Sequence, residues 1–249
     1  MKKNIFYLLA HQDDEFGAFI DISDKVKNYN VYILYLTSGY TQRIKKSELS
    51  MRDKESIKVL KKIGIKKKNI IFLGKQLDIK CNQLYLNIHK VYNKIIEISQ
   101  IISPHQLVTH AWEGGHEDHD ACNLIARKIG FKLNIINNSK EFSLYNGYKC
   151  NFFYFKVFNP IKKNGIFVKA NFCRRLFYII LLFFYRSQFK IWIGLYPFII
   201  FHYLFFGYNY LQKLNEFKIV KKPHSGKLLY EVRNFCNFKK FKSRTKNFF

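Results

Sequence analysis

The first half of the chain alternates short, wholly apolar runs with longer segments in which apolar residues recur at helical spacing. Asn4 to Ala10 and Val31 to Leu36 are rich in Ile, Val, Tyr and Leu and apolar at nearly every position, as strands buried on both faces of a parallel sheet must be. The segment from about Phe16 to Tyr29 predicts a helix, and Lys46 to Ile63 predicts a clearer one that stops at Gly64. A strand is expected over Asn69 to Leu73, a helix near Leu84 to Ile101, a strand over Gln106 to Thr109, and a helix from about Asp118 to Ile129. Strands alternating with helices imply βαβ units with right-handed crossovers. The expected fold is therefore α/β: a Rossmann-like, doubly wound, mostly parallel sheet with helices on both faces. Ligands of such sheets bind beyond the carboxyl ends of the strands. His11 to Glu15, Thr37-Ser38-Gly39 and His110 to His119 each follow a predicted strand and are expected to meet at one rim.

After about Asn138 the pattern changes. Asn151 to Phe158 reads as an aromatic strand, and Leu176 to Tyr210 is highly apolar. Without a repeat or a Pro/Gly/Ser linker, residues 1–249 read as one domain, with a core over 1–138 and a C-terminal elaboration with apolar helices over 139–249. Within it, Leu176 to Tyr185 and Ile191 to Tyr208 are uncharged runs separated by Arg186 and Lys190. The second approaches the roughly 20 residues needed to cross a bilayer but contains Gly194, Pro197 and His202. These runs read as buried helices packed on the sheet, with membrane contact as the other reading.

Charge changes the picture only in part. Lys and Arg number 43 against 17 Asp and Glu, a formal net charge of +26, which points to an anionic membrane, nucleic acid or an acidic substrate. The joint abundance of Lys, Asn, Ile, Phe and Tyr also follows from AT-rich coding. The tail NFKKFKSRTKNFF has no accompanying nucleic-acid motif and reads as a solvated charge run, so nucleic acid is an unexpected partner. Basic, aromatic flanks suit peripheral contact with an anionic inner leaflet. Cys81, Cys122, Cys150, Cys173 and Cys236 are scattered without a CxxC pair, which argues against a disulfide framework or a cysteine zinc site. The opening MKKNIFYLLA meets acidic residues without a small-residue cleavage site and reads as a strand, so a cytoplasmic setting is expected.

Two stretches carry the candidate chemistry. LLAHQDDE (Leu8 to Glu15) crowds three carboxylates and an imidazole at a strand end, an arrangement that is unfavourable unless a cation sits among them. GGHEDHDAC (Gly114 to Cys122) places His116 and His119 at i and i+3, on one face of a helix that starts there. Either stretch alone is ambiguous: Asp13 is also a fair helix cap, and paired histidines are often an ordinary polar turn. Together, a His and an Asp from the first turn and a His from the second would make a three-ligand site with an open position for water, the form of a catalytic rather than a structural zinc site. The spare carboxylate would take the water's proton, and the spare imidazole would serve the oxyanion or the leaving amine.

The chain resembles the PIG-L/LmbE-type metal-dependent N-deacetylases, whose first motif, AHPDDE, is matched by Ala10-His11-Gln12-Asp13-Asp14-Glu15, and whose second, GGHPDH, by Gly114-Gly115-His116-Glu117-Asp118-His119. The resemblance implies removal of the acetyl group from an N-acetylglucosaminyl glycoconjugate by zinc-activated water. It implies that His11, Asp14 and His119 hold Zn2+, that Asp13 is the general base, that His116 is the acid or oxyanion partner, and that Asp118 orients a histidine. Thr37-Ser38-Gly39 resembles the family's T-x-G loop, Arg52 with Glu55 its R-x-x-E helix, and Tyr185-Arg186-Ser187-Gln188 a Y-x-S-Q segment. Arg52 is expected either to reach substrate or to pair with Glu55, and Asp78 resembles an acidic position near the sugar. Gln12 and Glu117 replace the proline of each motif, which removes a backbone constraint and adds an acid. The competing reading is a non-catalytic basic protein that binds membrane or polyanion on a hydrolase-like scaffold.

Overall fold

A computed structural model of the chain describes residues 2–40, 46–150, 155–215 and 220–248. β1 (Asn4–Leu9), β2 (Asn30–Tyr35), β3 (Ile70–Ile71), β4 (Pro104–His110) and β5 (Lys140–Phe142) pair in parallel. β6 (Tyr145–Asn146) and β7 (Lys156–Val157) form a separate two-stranded sheet. β8 (Ile166–Lys169) and β9 (Tyr208–Lys213) extend the main sheet in antiparallel fashion, giving seven strands in the order β3-β2-β1-β4-β5-β9-β8. The fold is the expected α/β architecture, and three of the strands after residue 138, β5, β8 and β9, are woven into the same sheet.

Alternation along β1 shows why its sequence is apolar throughout. Ile5, Tyr7 and Leu9 face one core layer and Phe6, Leu8 and Ala10 the other, all fully buried. The first layer is covered by α1 (Phe19–Asn28), α2 (Lys46–Ile63) and residues of the C-terminal helices, and the second by α4 (Ile88–Ile101) and α5 (Glu117–Lys132). A short α3 (Leu73–Gln76) lies between β3 and α4. It truncates the strand expected over Asn69 to Leu73, because the chain turns at Phe72 and seats Gly74 so close to Thr37 that a Cβ there would lie 2.2 Å from its backbone. Of the helix expected near Leu84 to Ile101, Leu84–Leu86 form a 3-10 turn, whose approach is held by Asp118 through the amides of Asn82 and Leu84, and α4 runs from Ile88.

The apolar stretch from Leu176 breaks into α6 (Phe172–Leu182), α7 (Phe189–Trp192), α8 (Tyr196–Phe201), a π-helical turn over His202–Phe206, and β9. Tyr178, Leu181, Leu182, Tyr185, Ile199 and Tyr203 join the core, as expected of buried helices, but the opposite side of these elements is exposed. Among the described residues no helix is long and apolar enough to cross a membrane. Of the strand read over Asn151 to Phe158, residues 151–154 lie outside the described residues and Lys156–Val157 form β7. α9 (Leu229–Val232) and α10 (Phe238–Thr245) close the chain, with Phe241 of the basic tail buried in the second core layer.

Candidate active site

β1 is the centre of the topology: β2 lies on one side and β4 on the other, so the chain reverses its direction of winding between β1 and β4. That crevice is where an open α/β sheet binds its ligand. Leu8 pairs with Thr109, so the residues that leave β1 and β4 emerge side by side. His11 to Glu15 and His110 to His119 meet there, and most of their side chains are buried.

Asp14 stands among three imidazoles. Its Oδ1 is 3.2 Å from His119 Nε2, and its Oδ2 is 3.4 Å from His11 Nδ1 and 3.1 Å from His110 Nε2. Oδ2 also accepts the His11 amide at 2.7 Å. Burial alone would raise this carboxyl, but His119, His110 and His11 outweigh it and hold Asp14 well below the ordinary carboxylate range. One atom each from His11, Asp14 and His119 lie within 4.8 Å of one another. His119 Nε2 is buried without a hydrogen bond, its contact with Asp14 being poorly directed, and burial together with His110 presses its pKa to about 4. A neutral imidazole with a free buried nitrogen beside an ionised carboxylate fits a divalent cation. His11 runs the other way: burial would lower it, but Cys81, Asp14 and Asp118 raise it well above its usual value, so loading an ion there must displace its proton.

The remaining motif residues surround this group. Asp118 accepts from the amides of Asn82 and Leu84 at 2.6 and 3.0 Å and lies 3.1 Å from His11 Nε2, which orients the His11 ring. His116 caps α5: its Nδ1 accepts the Asp118 amide at 3.1 Å, which leaves the proton of the neutral ring on Nε2. Burial lowers His116 to about 4, so it is neutral near pH 7. Asp13 has φ 135°, a conformation uncommon for a residue with a Cβ, and Glu15 Oε2 holds its amide at 3.0 Å. Burial pushes the Asp13 carboxyl up to about 7, against the pull of Arg52 and with the repulsion of Asp14.

Arg52 is buried and directed inward. It donates to Gly39 O at 2.9 Å and Gln12 O at 3.1 Å and lies 3.4 Å from Asp13 Oδ2. Gly39, at φ 74°, has a backbone conformation that disfavours a side chain, and a Cβ there would also press on Gln12 Oε1 at 2.4 Å. Glu55 binds the Ser187 amide and hydroxyl at 3.0 and 2.5 Å, so the two residues of the R-x-x-E pattern have separate partners and not each other. Tyr185 donates to Glu15 Oε1 at 2.7 Å. The Y-x-S-Q segment thus braces both the first motif and α2. Asp78 is exposed, at φ 52°, on the turn after α3.

The two proline replacements are both anchored: Gln12 donates to Asp53 Oδ1 at 3.1 Å, and Glu117 accepts from Asn82 at 2.7 Å. Two neighbours of the site lie outside both motifs. His110, stacked on His119 at 4.0 Å, ends β4, and its place at the strand's carboxyl end was the available signal. Cys81 approaches His11 and Asp118 closely enough that these three also satisfy ligand spacing, and nothing in its sequence surroundings marks it.

A doubly wound α/β sheet with a His/Asp/His pocket at its switch point defines the class: an α/β protein whose crevice could hold a divalent ion beside a neutral histidine and a buried aspartate. Residues 6–129 match the family model described as PIG-L, GlcNAc-PI de-N-acetylase, and over them the chain belongs to that family. A deacetylase of the teicoplanin biosynthesis pathway is similar in structure (TM-score 0.58, 15% identity, 84% of this chain and 96% of that one). So is N,N'-diacetylchitobiose deacetylase from Pyrococcus horikoshii, with TM-score 0.53, 17% identity and coverage of 84% and 83%. GalB, the 4-carboxy-2-hydroxymuconate hydratase of Pseudomonas putida, shares the fold at TM-score 0.51 and 11% identity over 88% of this chain and 98% of its own. At such identities these likenesses establish the fold, and the hydratase shows that the fold alone does not fix the reaction. No curated protein sequence matches the chain.

Proposed function

We propose that the chain is a metal-dependent N-deacetylase that hydrolyses the acetamide of an N-acetylated amino sugar, with His11, Asp14 and His119 as ligands of a zinc or similar divalent ion. The observation that carries this reading is the buried, hydrogen-bond-free Nε2 of His119 beside the ionised Asp14 carboxylate. When bound, such an ion would acidify water and polarise the amide carbonyl. Asp13 is the base that accepts the attacking water's proton, and Arg52 beside it favours the carboxylate it needs to be. His116 enters neutral, with its proton on Nε2, and so serves the developing oxyanion as a hydrogen-bond donor. The proton held by Asp13 then goes to the departing amine, leaving acetate and a free amino sugar. Asp118 fixes the His11 ring, and Glu15 with Tyr185 fixes the Asp13 backbone.

The test is acetate release from a panel of N-acetylhexosamine conjugates, with and without a chelator. Acetate from at least one conjugate, lost on chelation and restored by zinc or cobalt, is expected. No release from any conjugate by the metal-loaded protein would overturn the reading.

A further inference from the structure

The C-terminal helices present an apolar surface that the proposed chemistry does not use. Of the eighteen large hydrophobic side chains that are exposed among the described residues, eleven lie between Phe172 and Phe206. On α6 and the turn that follows it, Tyr178, Leu181, Leu182 and Tyr185 follow core spacing and are buried, while Phe172, Leu176, Ile180 and Phe183 form the opposite stripe and are 39 to 59% exposed. A helix covering a core in water carries polar residues on its outer stripe. Here that stripe is aromatic and aliphatic. Phe198, Phe201 and Phe205 repeat the pattern across α8 and the π turn, which packs against α6 through Tyr178 and Tyr203. Patches of this kind mark an interaction surface.

Charge identifies the occupant. From Phe142 to Asn215 the sequence holds ten Lys and Arg and no Asp or Glu. Lys169, Arg186 and Lys190 are exposed beside the apolar stripes. Between α2 and α6, Ile180 and Phe183 line a groove together with Met51, Lys54, Lys58 and Arg186, and its acid, Glu55, is already bonded to Ser187. An apolar floor rimmed by cations repels a second copy of itself and complements an amphiphile with an anionic head. The short helices lack the length to span a bilayer, which leaves the interfacial mode.

We propose that the outer face of α6, α7 and α8 docks on an anionic lipid bilayer, with its aromatic and aliphatic side chains among the acyl chains and Arg186 and Lys190 at the headgroups. The face is continuous with the crevice: the rings of His119 and Tyr145 are 5.4 Å apart, those of Tyr145 and Phe155 6.4 Å, and those of Phe155 and the exposed Phe198 5.7 Å. That the bilayer thereby presents acetylated substrate to the site rests on the deacetylase reading; the docking itself does not.

Co-sedimentation of the full chain with phosphatidylglycerol/phosphatidylcholine vesicles, and with phosphatidylcholine alone, tests it without any turnover. At least tenfold tighter binding to the anionic vesicles is expected. An Ile180→Asp/Phe183→Asp variant should lose at least tenfold of it, with circular dichroism and acetate release from a water-soluble conjugate unchanged. Should that variant misfold, Arg186→Glu/Lys190→Glu tests the charged half and should weaken binding severalfold. Wild type that ignores vesicles, or variants that bind them undiminished, would overturn the proposal. So would a wild-type dimer that the apolar variant converts to monomer without vesicle binding, or binding confined to duplex DNA. Failure of acetate release with vesicle binding intact would remove the deacetylase reading alone.

Discussion

Asp14 Oδ1, from the turn after β1, and His119 Nε2, from the first turn of α5, stand 3.2 Å apart in a buried pocket without forming a directed hydrogen bond. His110 lies on the other side of the same carboxylate, its Nε2 3.1 Å from Asp14 Oδ2 and its ring parallel to that of His119 at 4.0 Å. It is placed to fix both proposed ligands without belonging to the set. His110→Ala should therefore weaken zinc binding about 10- to 100-fold, the range seen when outer partners of metal ligands are removed. Competition with a chelating dye measures this, and unchanged affinity would reduce His110 to a packing residue.

Arg52 and Asp13 give a pH prediction. In the proposed reaction the base works ionised, so kcat/KM should rise with pH as Asp13 loses its proton. Burial sets that step at about 7, and a cation bound beside it would bring it lower. Arg52 pulls in the same direction as the cation, so Arg52→Met should move the acid limb of the profile upward by about one unit or more. Arg52→Lys should restore most of the shift. A fall in turnover with an unmoved limb would mean that Arg52 only holds Gly39 and Gln12.

Tyr185→Phe removes a donor from Glu15, a buried acid whose other oxygen holds the Asp13 amide. Loss of a hydrogen bond to a buried charged group costs about 1–3 kcal/mol. Each kcal/mol corresponds to a Tm lowered by about 2–4 °C in a domain of this size. Turnover should fall as well, since Asp13 keeps its positive φ through that amide. A melting curve identical to wild type would show that the Tyr185 hydroxyl contributes nothing.

Two further acids sit beneath the second motif. Burial pushes Asp120 to about 8, although it accepts the amides of Glu113 and Gly114 at 3.3 and 3.2 Å. Burial likewise pushes Glu113 to about 8. Both are protonated in the folded chain at pH 7, whereas unfolded carboxyls ionise near 4. The native state thus holds more protons over that interval, and stability falls as pH rises from about 4 through 8. Asp120→Asn keeps an acceptor for the two amides and cannot ionise, so its Tm should fall between pH 5 and pH 8 by about half as much as that of wild type. Identical slopes would contradict these raised values.

The sheet was legible because buried parallel strands are apolar on both faces, and the meeting of the two motifs because the segments that follow neighbouring parallel strands share one rim. Which of the two acids and which of the two motif histidines would hold an ion came from the resemblance to the PIG-L/LmbE-type deacetylases, and His11, Asp14 and His119 are one of the groups whose spacing suits an ion. What periodicity does not report is which partner a side chain finds across the fold. Arg52 and Glu55 share a helix, yet one turns to the first motif and the other to Ser187. Cys81 reaches the site because Asp118 draws in the neighbouring amides. The apolar run after Leu176 reads the same whether its outer stripe meets protein, lipid or water; only the placed side chains separate buried Tyr178 from exposed Ile180.

The central claim is that one divalent ion sits on His11, Asp14 and His119 while Asp13 remains free to accept a proton. Calorimetric titration of the chelator-stripped protein with zinc measures it directly, with Asp13→Ala and His119→Ala titrated alongside. Wild type and Asp13→Ala should each take up one tight ion per chain and release protons, and His119→Ala should lose that site. No tight binding by wild type, or undiminished binding by His119→Ala, would contradict the account.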